Sequence, residues 1–201
     1  MSISGWVTRS DMKESQTTLA AVVCVLATAP VHCASAAVYA SAEQAQRELF
    51  PDATSFEVVT LSLSPAQLQE IARLAGPQAG HGTLSVWAAR QGATVLGHVF
   101  VDEVIGREDF ITYAVGIRAD GQLLPVSVLE YRESHGGEIR NKRWLAQFSG
   151  RSTVQQLRFG TDIKNIAGAT LSSEHVTAGV RRILAIRQTA IVGAVTSGST
   201  G

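Results

Sequence analysis

Residues 84–131 read LSVWAARQGATVLGHVFVDEVIGREDFITYAVGIRADGQLLPVSVLEY, and this stretch decides the fold. Four runs rich in Val, Ile, Phe and Tyr stand at 84–88, 94–105, 110–117 and 123–131. Such side chains suit a pleated, half-buried surface, so each run predicts a strand. Turn residues separate them at Gln91-Gly92, at 106–109 and at Asp120-Gly121. The Asp-Gly pair tolerates the positive φ of a tight hairpin. All three links are far shorter than the dozen or so residues that a parallel crossover needs, so the strands must form an antiparallel meander.

Helix signals flank the meander. Ser41 with Gln44, and Ser64 with Gln67, are two S-x-x-Q capping boxes, the second with Pro65 at the first helical position. Phe56–Leu63 between them reads as extended. Leu68, Ile71 and Leu74 mark the predicted buried stripe of the second helix. Asn141–Phe148 reads as a helix with Trp144, Leu145 and Phe148 inward. A long amphipathic helix is predicted from Ser173, with Val176, Val180, Ile183 and Leu184 on one face. The fold class is therefore α+β: an antiparallel sheet packed against helices, in a single domain. The last residues, 196–201 (TSGSTG), are too small and polar to pack, and 191–201 is expected to form a flexible tail.

The chain has 201 residues, 45% hydrophobic and 17% charged, with Lys+Arg and Asp+Glu both 17. Zero net charge lacks the basic surplus that phosphate neutralisation requires, which argues against a nucleic-acid partner. Two cysteines cannot build a disulfide scaffold or a zinc site, and no metal-ligand spacing stands out. Residues 19–31, LAAVVCVLATAPV, form an apolar run too short to span a bilayer. Arg9 and Lys13 precede it and Ala34-Ser35-Ala36 follows, so 1–36 reads as a secretory signal peptide. Export follows, to the periplasm or another extracytoplasmic space, with membrane association if the signal is retained. Both cysteines, Cys24 and Cys33, lie within that segment, so a mature chain doing redox chemistry needs an added cofactor.

Two segments exceed ordinary connections. The first runs from Glu130 to Asn141 and sets the pair Gly136-Gly137 among Glu133, Ser134, His135 and Glu138. Paired glycines allow positive φ and close approach to the backbone, although a solvated turn gives the same composition. The second, from Asp162, places Gly168 and Ala169 before Thr170, with Ser172 and Ser173 after it. Small residues clear space around the Thr170 hydroxyl. The amides opening the following helix suit a phosphate, and N-capping by Thr170, Ser172 or Ser173 explains the same residues.

The run Asp162…Gly168-Ala169-Thr170-x-Ser172-Ser173 resembles the attachment motif of the FMN-binding domain family. The stretch 131–140 and the run from Trp144 to Gly150 are similar to that family's glycine-rich loop and its W-x-x-Q-F-x-G helix. The resemblance implies an FMN-binding domain at 83–190, preceded by a helical and extended segment at 37–82. It implies FMN esterified through its phosphate to Thr170 by a flavin transferase that uses FAD. It also implies that Gly168, Ala169, Ser172, Ser173 and Asp162 surround the tether, with Glu133, Gly136, Gly137 and Glu138 lining the flavin. The function implied is electron transfer between a membrane donor and an extracytoplasmic acceptor, by a carrier rather than a turnover enzyme. Gln91-Gly92-Ala93-Thr94 repeats the tripeptide but reads as a hairpin turn, so Thr94 serves as an internal control. Two other classes stand beside this reading. One is an unflavinylated accessory module of the same fold, favoured by Ala167 and Lys164 where the family has a hydroxyl residue and an acid. The other is a secreted flavin-dependent reductase.

Overall fold

A computed structural model describes residues 37–76, 83–132 and 136–191 of the chain. The predicted signal segment, Glu133, Ser134, His135 and the predicted tail from 192 lie outside the described residues. The meander forms as predicted. Strands β3 (Ser85–Gln91), β4 (Thr94–Ile105), β5 (Phe110–Arg118) and β6 (Ser127–Tyr131) pair antiparallel in sequence order. Two short strands, β1 (Ala37–Val38) and β2 (Ser55–Val58), extend the sheet to the order β1-β6-β5-β4-β3-β2. Gln91 pairs with Thr94 across the Gly92 turn, so the second Gly-Ala-Thr is a hairpin, as expected.

Both faces of the sheet are covered. On one, helix α4 (Thr170–Ile186) lays Val176, Val180, Ile183 and Leu184, all fully buried, against Phe100, Tyr113, Val115 and Ile117. Each such burial stabilises by about 1.5–3 kcal/mol relative to exposure. Helix α2 (Pro65–Ala75) joins this core through Ile71 and Ala75. On the other face α1 (Ala42–Leu49) buries Ala45 against Ala114 and Leu129. Phe50, just beyond it, packs on Ala89 and Val99.

Both capping boxes are made. The Gln44 amide donates to Ser41 Oγ and the Ser41 amide to Gln44 Oε1, at 3.3 and 2.7 Å. Ser64 and Gln67 repeat the exchange at 3.2 and 2.9 Å. A cap of this kind is worth about 1 kcal/mol.

Four sequence expectations need correction. Leu68 is 52% exposed, because α2 rests on α4 through Ile71 and Ala75, leaving Leu68 on the rim of the stripe. Leu123–Tyr131 is not one strand. Leu123 makes an isolated bridge to Ile117, and Leu124-Pro125 carries the chain to β6, since proline offers no N–H to the ladder. The helix predicted from Asn141 is a single turn, α3 (Lys142–Leu145), between 3-10 turns at Gly137–Arg140 and Ala146–Phe148. The last helix opens at Thr170, three residues before Ser173, with Ala169 at its N-cap.

Candidate functional site

The two unusual segments meet in space. The backbone after β6 turns at Gly136, whose φ of 86° lies in the left-handed region that favours glycine. A Cβ there would fall 2.6 Å from Tyr131 Oη and 3.2 Å from the Cβ of Ala169. Gly136 is thus a cradle fitted to the phenol hydroxyl on one side and to the N-cap of α4 on the other. Its neighbour Gly137 is exposed, and a Cβ on it would meet nothing within 4 Å. Glu138 projects to solvent from the following 3-10 turn, and Ile139 beside it is fully buried.

The loop leading to α4 is fastened from behind. Asp162 accepts from the Arg158 amide at 3.0 Å and from Arg158 Nε at 2.8 Å. These bonds hold its carboxyl down at about 2, and Arg158 is their source. Arg151 donates to the Asp162 carbonyl at 3.0 Å. The Trp144 indole donates to the Lys164 carbonyl at 2.6 Å, while the Lys164 amide donates to Gln147 Oε1 at 3.0 Å. Gly168, with φ of 86°, then turns the chain so that the Ala169 amide reaches the Ile166 carbonyl at 3.0 Å.

Thr170 is exposed as the first residue of α4. Its hydroxyl makes a long 3.5 Å bond to the Ile166 carbonyl. Ser172 and Ser173 are buried, and Ser173 Oγ donates back to the Thr170 carbonyl at 2.9 Å. None of the three caps the helix. Ala169 holds that place and makes no side-chain cap, and the first turn carries no acid. The opening of α4, the positive end of the helix dipole, thus lies beside an accessible hydroxyl.

The structure thus gathers Gly136, Gly168, Ala169 and Thr170 at one place. Asp162 serves the preceding turn through Arg158. Trp144 is a core residue, 6% exposed, with its ring edge on Phe148 at 5.2 Å. Sequence reasoning missed Tyr131 and Gln147 as builders of the site. The Tyr-x-x-x-x-Gly spacing gives no local signal, whereas Gln147 stood inside the W-x-x-Q-F run without a partner to suggest its role.

Residues 106–185 match the family model of the FMN-binding domain. This part of the chain belongs to that family, and every residue gathered at the site lies within the matched span. A curated relative is a subunit of the Na(+)-translocating ferredoxin:NAD(+) oxidoreductase complex of Acetobacterium woodii, 27% identical over 155 residues. The alignment covers 72% of this chain and 72% of that protein. Among the described residues, no helix is long and apolar enough to cross a membrane.

Proposed function

We propose that this chain is an exported electron-transfer flavoprotein holding FMN through a phosphoester on Thr170 Oγ1. The observation that carries the reading is the contact of Gly136 with Ala169, which joins the glycine-rich loop to the threonine motif. The residues fit the group. Thr170 presents its hydroxyl to solvent, Ala169 leaves the helix opening without a side-chain cap, and small residues clear the approach. In the modification, a flavin transferase using FAD would form the Thr170 Oγ–phosphorus bond and break the pyrophosphate, with AMP leaving. Bound FMN supplies one- and two-electron redox chemistry, and attachment through phosphate leaves its ring unmodified.

The protein's part is placement. The amides opening α4 favour the phosphate charge, and the bonds from Trp144 and Gln147 to Lys164 fix the loop that presents the threonine. Gly137, Glu138 and Glu133 remain the residues proposed to line the flavin, and Ser173 holds the first turn of α4. The similarity to one component of a ferredoxin:NAD(+) oxidoreductase complex supports a membrane electron donor, with an acceptor outside the cytoplasm. A signal segment at 1–36 accords with that placement. The domain proposed runs from 83 to 190.

Co-expression with a flavin transferase in an exporting host tests the reading. The mature chain is expected to gain the mass of one FMN minus water and to fluoresce in a denaturing gel. Thr170→Val abolishes both signals and Thr94→Val changes neither. A colourless product beside an active transferase overturns the proposal in favour of an unflavinylated accessory module, the reading that Ala167 and Lys164 favour.

A further inference from the structure

Five surface arginines of this chain each have a carboxylate partner among the described residues. Arg73 pairs with Glu70, Arg90 with Glu57, Arg107 with Glu108, Arg132 with Glu130 and Arg158 with Asp162. The segment around α3 departs from that pattern. Arg140, Lys142 and Arg143 fall within four residues, all exposed, and Lys164 is exposed on the loop that α3 holds. Among the described residues none of these four enters an ion pair. Arg140 instead lies 3.8 Å over the ring of Tyr39. The nearby acids are Glu48, which lines the adjoining hollow, and Glu138, two residues before Arg140.

The cations rim two hollows on either side of α3. One, of about 670 Å³, has Leu49, Leu124, Pro125 and Val126 in its lining, with Arg140 and Lys142 beside them. The other, of about 370 Å³, is bounded by Asn141, Arg143, Trp144, Gln147 and Lys164. We propose that this face is the docking surface for an acidic protein, whose carboxylates meet the four cations while its side chains enter the hollows. The proposal rests on the electron-carrier reading, because α3 bonds to Lys164, six residues before Thr170. A partner seated there lies beside the proposed flavin.

Charge complementarity argues for a protein over a lipid surface. Binding to a bilayer interface draws on projecting apolar side chains next to the cations. Here the apolar residues of α3, Trp144 and Leu145, are 6% and 7% exposed, and the cations border concavities. Complementary charge also speeds encounter between partners that must exchange electrons and separate.

The test uses the full, unmodified chain and a polyglutamate peptide as probe, so it does not depend on flavinylation. Binding is expected to weaken steeply as salt rises, since exposed charges are screened. Lys142→Glu with Arg143→Glu should reduce affinity about tenfold or more, each cation contributing a share of the attraction. Arg73→Glu with Arg107→Glu, the same change in net charge elsewhere, should leave it within about twofold. Equal losses in the two pairs, or binding indifferent to salt, overturn the proposal. So does binding to phosphatidylglycerol vesicles through Lys142 and Arg143 without binding to polyglutamate. A chain that takes up FMN on Thr170 yet ignores polyglutamate refutes the docking surface alone. One that binds the probe but stays colourless refutes the flavin tether.

Discussion

Trp144 and Lys164 are joined by an indole N–H to carbonyl bond of 2.6 Å, and Gln147 takes the amide of the same lysine. The α3 turn and the 3-10 turn after it therefore hold both backbone polar groups of a single residue in the loop leading to Thr170. Trp144→Phe keeps the ring packing on Phe148 but removes the donor, and should cost about 1 kcal/mol. Gln147→Ala should cost a similar amount. Because both bonds restrain one residue, the double variant is expected to lose less than the sum. Urea unfolding followed by circular dichroism measures the cycle. Full additivity would show that the two bonds act independently.

The adjacent glycines should respond differently. Gly136→Ala must adopt a left-handed φ and place a Cβ 2.6 Å from Tyr131 Oη. Strain of this kind costs about 1–3 kcal/mol. Gly137→Ala meets nothing within 4 Å and should fall within about 0.5 kcal/mol of the parent. Urea midpoints separate the two, and flavin incorporation should also fall in the Gly136 variant. Equal midpoints would sink the claim that Gly136 is the fitted member of the pair.

Much of this architecture was legible because its signals are local. The three hairpin turns, both capping boxes and the inward face of α4 each depend on residues a few positions apart. The opening of α4 was misplaced because serine and threonine are favoured caps, whereas the chain sets Ala169 there and buries both serines. The single turn of α3 could not be told from a longer helix, since Trp144, Leu145 and Phe148 are inward in either case. Contacts across the chain left no trace. Asp102 and Arg182 are eighty positions apart, and no local spacing ties the one to the other.

That buried pair yields a further expectation. Asp102 is fully buried and accepts from Arg182 and, at 2.6 Å, from Tyr113 Oη. Gly179 of α4 lies so close to that hydroxyl that no Cβ would fit there. Asp102→Ala removes the carboxylate that pairs with Arg182 in the core and should cost about 3–5 kcal/mol. Tyr113→Phe leaves the ion pair in place and should cost nearer 1 kcal/mol. Burial and then the Asp102 charge push the Tyr113 phenol well above its ordinary 10.0. Its contribution is therefore fully present below that value and lost as the pH rises above it. Absorbance near the tyrosinate band should show Tyr113 ionising only as the alkaline chain unfolds.

Acid should act through His98. Its Nδ1 is buried without a partner among the described residues. Burial first, then the charges of Arg187 and Arg90, hold its pKa below 6.5. Arg187 reaches it from the segment after α4 and Arg90 from β3, and the carboxylate of Asp120 acts on Arg187. The folded chain thus binds fewer protons than the unfolded chain. Stability from this residue is present above 6.5 and is lost as the pH falls from there through the folded value. Asp162 follows the same sign in a lower window, between 3.8 and about 2, so the two contributions separate along the pH axis. Urea midpoints between about pH 7.5 and about pH 5 should decline in the parent and flatten in His98→Gln. An unchanged slope in that variant would assign the acid sensitivity to other groups.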